Sequence, residues 1–215
     1  MDFCWDKVLE FTPDWEHRTN YDQGDYPIVG KALPYCPSGA FRADLIRLEQ
    51  VYLHGGIYLD SDVQLLKPID DFLGYDAFCV LEKDDVVGNQ VFGATPKHPA
   101  IMAAIEFAMG HLDMLRQGGG FISNPTYKHV AWGPWVHSES FGKYKYISLL
   151  PKHTFNPFGM DDRLSPELQK IIPMWRSSGN EKSKLITELN PFTYGVHLFN
   201  WSWVAGSTWS DRSKE

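Results

Sequence analysis

The run Gly55-Gly56-Ile57-Tyr58-Leu59-Asp60-Ser61-Asp62 constrains this chain more than any other part of it. Two adjacent glycines permit backbone conformations closed to other residues and so end what precedes them. Three apolar residues of β type follow, and then two carboxylates one residue apart. Upstream, Ser38 is an N-cap residue type, and Phe41, Leu45, Leu48 and Tyr52 recur at the spacing of one helix face. The pattern predicts a helix stopped by Gly55-Gly56, a short strand over Ile57-Tyr58-Leu59, and an acidic triplet at a strand end or in a strand break. Val63-Gln64-Leu65-Leu66 resumes an extended pattern before Lys67-Pro68. On an extended chain alternate residues point to one side, so Asp60 and Asp62 are expected to project together. Paired oxygen donors of this kind suit a hard divalent cation, Mg²⁺ or Mn²⁺.

The same alternation of strand and helix continues. Asp76 to Leu81 and Gln90 to Ala94 read as strands, and a helix is expected from His98-Pro99 through Ile101, Ile105 and Met109 to Leu115. Beyond Gly118-Gly119-Gly120 the signal weakens, with Tyr144 to Leu150 extended and Tyr194 to Phe199 a last candidate strand running into a Trp-rich tail. Internal repeats, low-complexity tracts and long linkers are absent, so residues 1–215 are expected to form a single domain. The fold class is α/β, a sheet covered by helices.

Composition narrows the function. With 20 basic against 27 acidic residues the net charge is −7, which argues against a nucleic-acid scaffold with a broad basic face. Cys4, Cys36 and Cys79 are odd in number and widely spaced, which indicates neither a disulfide framework nor a zinc knuckle and fits a reducing, cytoplasmic setting. No apolar run reaches the roughly 18 residues of a membrane span. The start Met1-Asp2-Phe3-Cys4-Trp5-Asp6 lacks the basic opening of a signal peptide. Contact with a membrane is therefore expected to be peripheral at most. Aromatic residues make up 14%, enough to fill a core or line a pocket for a sugar-like ligand.

Two familiar settings for paired aspartates can be tested on the residues. An EF-hand loop counted from Asp60 needs Gly at its sixth position and Glu at its twelfth; Leu65 and Asp71 stand there instead. Phosphatases resembling haloacid dehalogenases place Asp-x-Asp after an apolar strand, but near the start of the chain and with a small residue and Thr next, where this chain has Val63-Gln64. They remain a remote alternative.

A longer set of residues matches something else: Arg42-Ala43-Asp44-Leu45-Ile46-Arg47, then Tyr52-Leu53-His54-Gly55-Gly56-Ile57-Tyr58-Leu59-Asp60-Ser61-Asp62-Val63, then Lys67-Pro68-Ile69-Asp70. This resembles the sugar-transferase family carrying a DXD sugar-binding motif, whose relatives include the fungal initiating α-1,6-mannosyltransferases, bacterial capsular-polysaccharide transferases and the large glucosylating toxins. Asn89, His98-Pro99, Gly133-Pro134 and the tail His197 to Trp203 fall where that family has comparable residues.

The resemblance implies a nucleotide-sugar-binding domain of GT-A type, with a mixed central sheet flanked by helices. It also implies retaining, metal-dependent transfer from a UDP- or GDP-sugar to a sugar-bearing acceptor (a glycan, a polysaccharide or a small molecule). A divalent cation held by Asp62, with Asp60 and His197 as further ligands, would offset charge on the departing diphosphate. Asp60 would touch the ribose or the metal through water, Asp44 would accept from sugar hydroxyls, and Arg47 would approach the sugar or the diphosphate. Tyr58 and Asn89 would meet the donor, and Ser202 or the Trp203 ring nitrogen would donate to the leaving phosphate. Asp44 and Arg47, three apart on a helix, can also simply pair with each other. The family implies no dedicated base, and Asp161 and Asp162 are free carboxylates without a positional argument. Relatives open with a strand carrying Ile-Pro-x-x-Ile-His-x-x-Trp, of which nothing is visible here, so the sheet is expected to be one strand short. The competing class is a binding module that holds a nucleotide sugar and turns nothing over.

Overall fold

The computed structural model describes residues 2–19, 25–83, 85–118, 132–142, 144–157 and 190–198. Contacts group the chain into two compact units. One takes residues up to 13, 60–69 and the chain from 153 onward; the other takes 14–59 and 70–152.

The larger unit is built on a four-stranded mixed sheet in the order β1 (Gly56–Leu59), β4 (Val86–Ala94), β3 (Ala77–Lys83), β5 (Ser148–Leu150). β4 runs antiparallel to both neighbours and β3 runs parallel to β5. Helices α2 (Gly39–His54), α3 (Pro99–Arg116) and α4 (Trp132–Phe141) pack with it. Leu45, Leu48 and Val51 of α2, Ile101, Ile105 and Leu112 of α3, and Phe92 of β4 form one buried cluster, each removed from water as its apolar spacing requires. The α/β class and the mixed, helix-flanked sheet expected from the sequence are thus found. Among the described residues no strand precedes α2.

Helix α2 starts and stops where the sequence places it. The Ser38 hydroxyl accepts from the Phe41 amide, and the Gly55 amide donates to the Val51 carbonyl. Gly55 has φ +70°, and a Cβ there would lie 2.6 Å from Cδ of Pro96, so no other residue fits without displacing the 95–97 loop. That loop is itself tied to the helix end by the Lys97 amide donating to the Tyr52 carbonyl at 2.6 Å. On its other flank α2 offers Glu49, fully buried, whose carboxylate accepts from the amides of Ile28 (3.2 Å) and Val29 (2.6 Å). This anchors the turn that leads into the short 3₁₀ segment Leu33–Tyr35.

The smaller unit pairs β2 (Val63–Leu65) antiparallel with β6 (Gly195–His197), Val63 opposite His197 and Leu65 opposite Gly195. Helix α1 (Asp2–Phe11) packs beside β2. Cys4, Val63, Leu65, Phe155 and Val196 are buried here. Gly195 is needed because a Cβ would meet the Phe155 ring at 2.8 Å and the Gln64 carbonyl at 2.9 Å.

Several expectations shift. The strands read as Asp76 to Leu81 and Gln90 to Ala94 extend toward each other and pair as neighbours in the sheet, so Asn89 lies inside β4 rather than at a strand start. Only Ser148–Leu150 of the Tyr144 to Leu150 stretch is a strand, and its first residues form a turn. The tail strand covers Gly195–His197, and Phe199 lies outside the described residues. Helix α4 was unforeseen because it carries Gly133 and Pro134; both sit in its first turn, where a missing N–H costs nothing.

Candidate functional site

In the smaller unit the acidic triplet is a turn, not an extended segment. The Val63 amide donates to the Asp60 carbonyl at 2.9 Å, closing a four-residue turn Asp60-Ser61-Asp62-Val63. The two carboxylates are therefore brought together by the turn rather than by strand alternation. Pairing of β2 with β6 continues one residue further, the Leu198 amide donating to the Asp62 carbonyl at 3.0 Å. This register sets the His197 ring beside the turn, with Nε2 3.2 Å from Oδ1 of Asp62.

Asp60, Asp62 and His197 each offer one ligand atom, and these atoms lie within 4.8 Å of one another. Two carboxylate oxygens and an imidazole nitrogen at that spacing fit a divalent cation of the Mn²⁺ or Mg²⁺ kind. Cys4 is buried near Asp62, and burial first, then the Asp62 charge, push its thiol up to about 12. The ligand atoms that converge are those of Asp60, Asp62 and His197, so the donor set is oxygen and nitrogen.

In the larger unit a second cluster forms. Oδ1 of Asp44 accepts from Nδ2 of Asn89 at 2.8 Å and lies 3.2 Å from Nη2 of Arg47. Nη1 of Arg47 donates to the Asn89 carbonyl at 3.0 Å, and its guanidinium stacks over the Tyr58 ring at 4.6 Å from the centroid. The Tyr58 ring in turn packs on Phe92 at 5.4 Å. Asp44 and Arg47 are each 8% exposed, so they form a desolvated ion pair whose geometry is fixed from several sides. The ion pair allowed by their helical spacing is thus present, and β4 adds Asn89 to it.

Gly133 of α4 closes against this cluster. A Cβ on it would lie 1.9 Å from Nδ2 of Asn89 and 2.9 Å from Oδ1 of Asp44. One turn later the His137 ring N–H donates to the Gly88 backbone, and the Ser138 hydroxyl accepts from the Val87 amide at 2.9 Å. The sequence offered no reason to single out His137 or Ser138. Their one visible signal is that they open a polar run, His137-Ser138-Glu139-Ser140, between Trp135 and Phe141. Of the remaining sequence candidates, Ser202, Trp203, Asp161 and Asp162 lie outside the described residues.

Residues 4–79, which contain the Asp44–Arg47 pair and the Asp60–Asp62 turn, match the family described as "Glycosyltransferase sugar-binding region containing DXD motif". The likeness to a DXD sugar-binding region covers about a third of the chain. The chain is 27% identical over 139 residues to inositol phosphoceramide mannosyltransferase 3 of Schizosaccharomyces pombe, covering 59% of this chain and 38% of that protein. It is 27% identical over 114 residues to mannosyl phosphorylinositol ceramide synthase SUR1 of Saccharomyces cerevisiae, covering 50% and 30%. A 46-residue stretch is 44% identical to the initiation-specific alpha-1,6-mannosyltransferase of the same yeast, covering 21% and 10%. The chain thus spans about a third of the length of the first two relatives. Its mixed α/β architecture is consistent with the GT-A type of glycosyltransferase domain that the DXD region implies. Among the described residues no helix is long and apolar enough to cross a membrane.

Proposed function

We propose that this chain is a retaining glycosyltransferase that moves a hexose from a nucleoside diphosphate sugar to a sugar-bearing acceptor with the help of Mn²⁺ or Mg²⁺, and that residues 1–215 act as one such domain. The observation that carries it is the convergence of Asp60, Asp62 and His197 within 4.8 Å, inside and beside a DXD sugar-binding region. The names of the relatives favour a mannosyl donor, hence GDP-mannose ahead of UDP-sugars.

When bound, the cation supplies positive charge for the diphosphate as the glycosidic bond loosens. The chain's own residues do the rest. Asp62 would be the more direct ligand of the ion, with His197 as a further one, and Asp60 would touch the ribose or the metal through water. Asp44 and the Asn89 amide bind sugar hydroxyls, a carboxylate being a strong acceptor for vicinal hydroxyls. Arg47 would approach the sugar or the diphosphate, and its stacking on Tyr58 limits the rotamers it must give up on binding. Ser202 or the Trp203 ring nitrogen would donate to the leaving phosphate. Charge repulsion between Asp60, Asp62 and the diphosphate means that little nucleotide should bind without metal.

The test is turnover: incubation with Mn²⁺ and a panel of GDP- and UDP-sugars, following released nucleoside diphosphate. Release that needs both metal and Asp62 supports transfer, slow hydrolysis included. Binding of a nucleotide sugar with no release would make the chain a binding module instead.

A further inference from the structure

Strand β4 is paired along most of its length but not in the middle. Its partners on β1 begin at Val91, and its partners on β3 jump from Val87 to Phe92 across a register shift. Gly88, Asn89 and Gln90 therefore lie where the ladder lapses, and backbone groups there must find partners elsewhere. The structure gives three substitutes. The Ser138 hydroxyl takes the Val87 amide at 2.9 Å, the His137 ring N–H meets the Gly88 backbone, and Arg47 donates to the Asn89 carbonyl at 3.0 Å. Two of the three come from α4. Gly133 and His137, four apart, lie on the same side of that helix, the side laid along Gly88 and Asn89.

At Gly133 the helix backbone itself is the contact. The room a Cβ would need, 1.9 Å from the Asn89 amide nitrogen, is occupied by that amide. Even alanine must push Asn89 away, and with it the 2.8 Å bond to Asp44. A buried ion pair steered by one neutral amide is sensitive to such a shift, because Oδ1 of Asp44 takes both the Asn89 amide and the Arg47 guanidinium.

We propose that the Gly133, His137 and Ser138 face of α4 is a positioning element for the donor sugar: it holds the unpaired stretch of β4 so that Asn89 fixes Asp44, and the bare backbone of Gly133 sets how closely the two approach. The inference rests on the donor role proposed above for Asp44 and Asn89. It assigns to α4 the part of donor affinity that comes from the sugar, leaving the part that comes from metal and nucleotide to Asp60, Asp62 and His197.

The experiment compares GDP with GDP-mannose by calorimetry on the full chain in saturating Mn²⁺, with UDP and UDP-glucose as a second pair. In Gly133→Ala the preference for the nucleotide sugar over its nucleotide is expected to fall about tenfold, the worth of one charge-assisted hydrogen bond, while the nucleotide Kd moves less than about twofold. A parallel weakening of both Kd values, or an unchanged preference, would overturn the positioning role. A thermal cycle gives a ligand-free readout. Gly133→Ala should lower Tm, and should lower it by clearly less when Asn89→Ala has already removed the amide; additive losses would overturn the contact. A wild-type chain that binds no nucleotide sugar, beside a coupled thermal cycle, would instead sink the proposed function.

Discussion

Acid should destabilise this fold through one buried ring. His137 is 1% exposed, edge-on to Phe92 (4.9 Å) and Phe141 (4.6 Å). Burial first, and the Arg47 charge second, lower its pKa to about 3, with the Gly88 hydrogen bond pulling weakly the other way. In the unfolded chain the same ring titrates near 6.5. Between those values the unfolded chain takes up a proton that the folded chain refuses. The stability contribution is therefore intact above about pH 6.5 and is lost as the pH falls toward 3, at about 1.4 kcal/mol per pH unit. From pH 7 to pH 5 the loss comes to about 2 kcal/mol. His137→Gln keeps an N–H for the Gly88 carbonyl but has no titration. Urea denaturation of both proteins at several pH values isolates the effect, since His98 and His111, also lowered by burial, contribute equally to each. The stability gap between wild type and variant should narrow by about 2 kcal/mol on going from pH 7 to pH 5. Parallel pH profiles would refute the assignment of a neutral, buried His137.

Other expectations follow from single contacts. Glu49→Gln keeps an oxygen for one backbone amide but sets its NH₂ group against the other, and should cost about 2–4 kcal/mol, visible as a fall in Tm of roughly 5–15 °C. Gly55→Ala, at φ +70° and 2.6 Å from Pro96, should cost about 2 kcal/mol or more by chemical denaturation, whereas Gly39→Ala, with open space around its Cβ position and a helical setting, should not destabilise. Thiol labelling at pH 8 should reach the half-buried Cys36 first. Cys79, fully buried with its thiol raised well above its usual value, and Cys4, raised to about 12, should label only on unfolding.

Much of this was legible in the residues, for identifiable reasons. Helix α2 was readable at both ends because Ser38 caps it and Gly55-Gly56 can stop it, both local effects. The Asp44–Arg47 pair was readable from helical spacing. The Asp60–Asp62 pair is visible as a motif, yet its local geometry is not: an i to i+3 hydrogen bond turns the chain where alternation alone would keep it straight. His197 joins that turn only through the β2–β6 register, a pairing across more than a hundred residues that no local pattern encodes. Helix α4 was hidden because its stability comes from packing on β4 rather than from propensity, and its use of Gly133 as a close contact shows only when Asn89 is set beside it.

The most direct test of the central claim is Mn²⁺ binding itself, measured by electron paramagnetic resonance or calorimetry with and without GDP, in wild type and in Asp62→Asn and His197→Ala. Wild type is expected to bind Mn²⁺ more tightly with the nucleotide present, and each variant to lose at least about tenfold in that affinity. Equal Mn²⁺ affinity in all three proteins, or nucleotide binding indifferent to metal, would contradict a metal site at Asp60, Asp62 and His197.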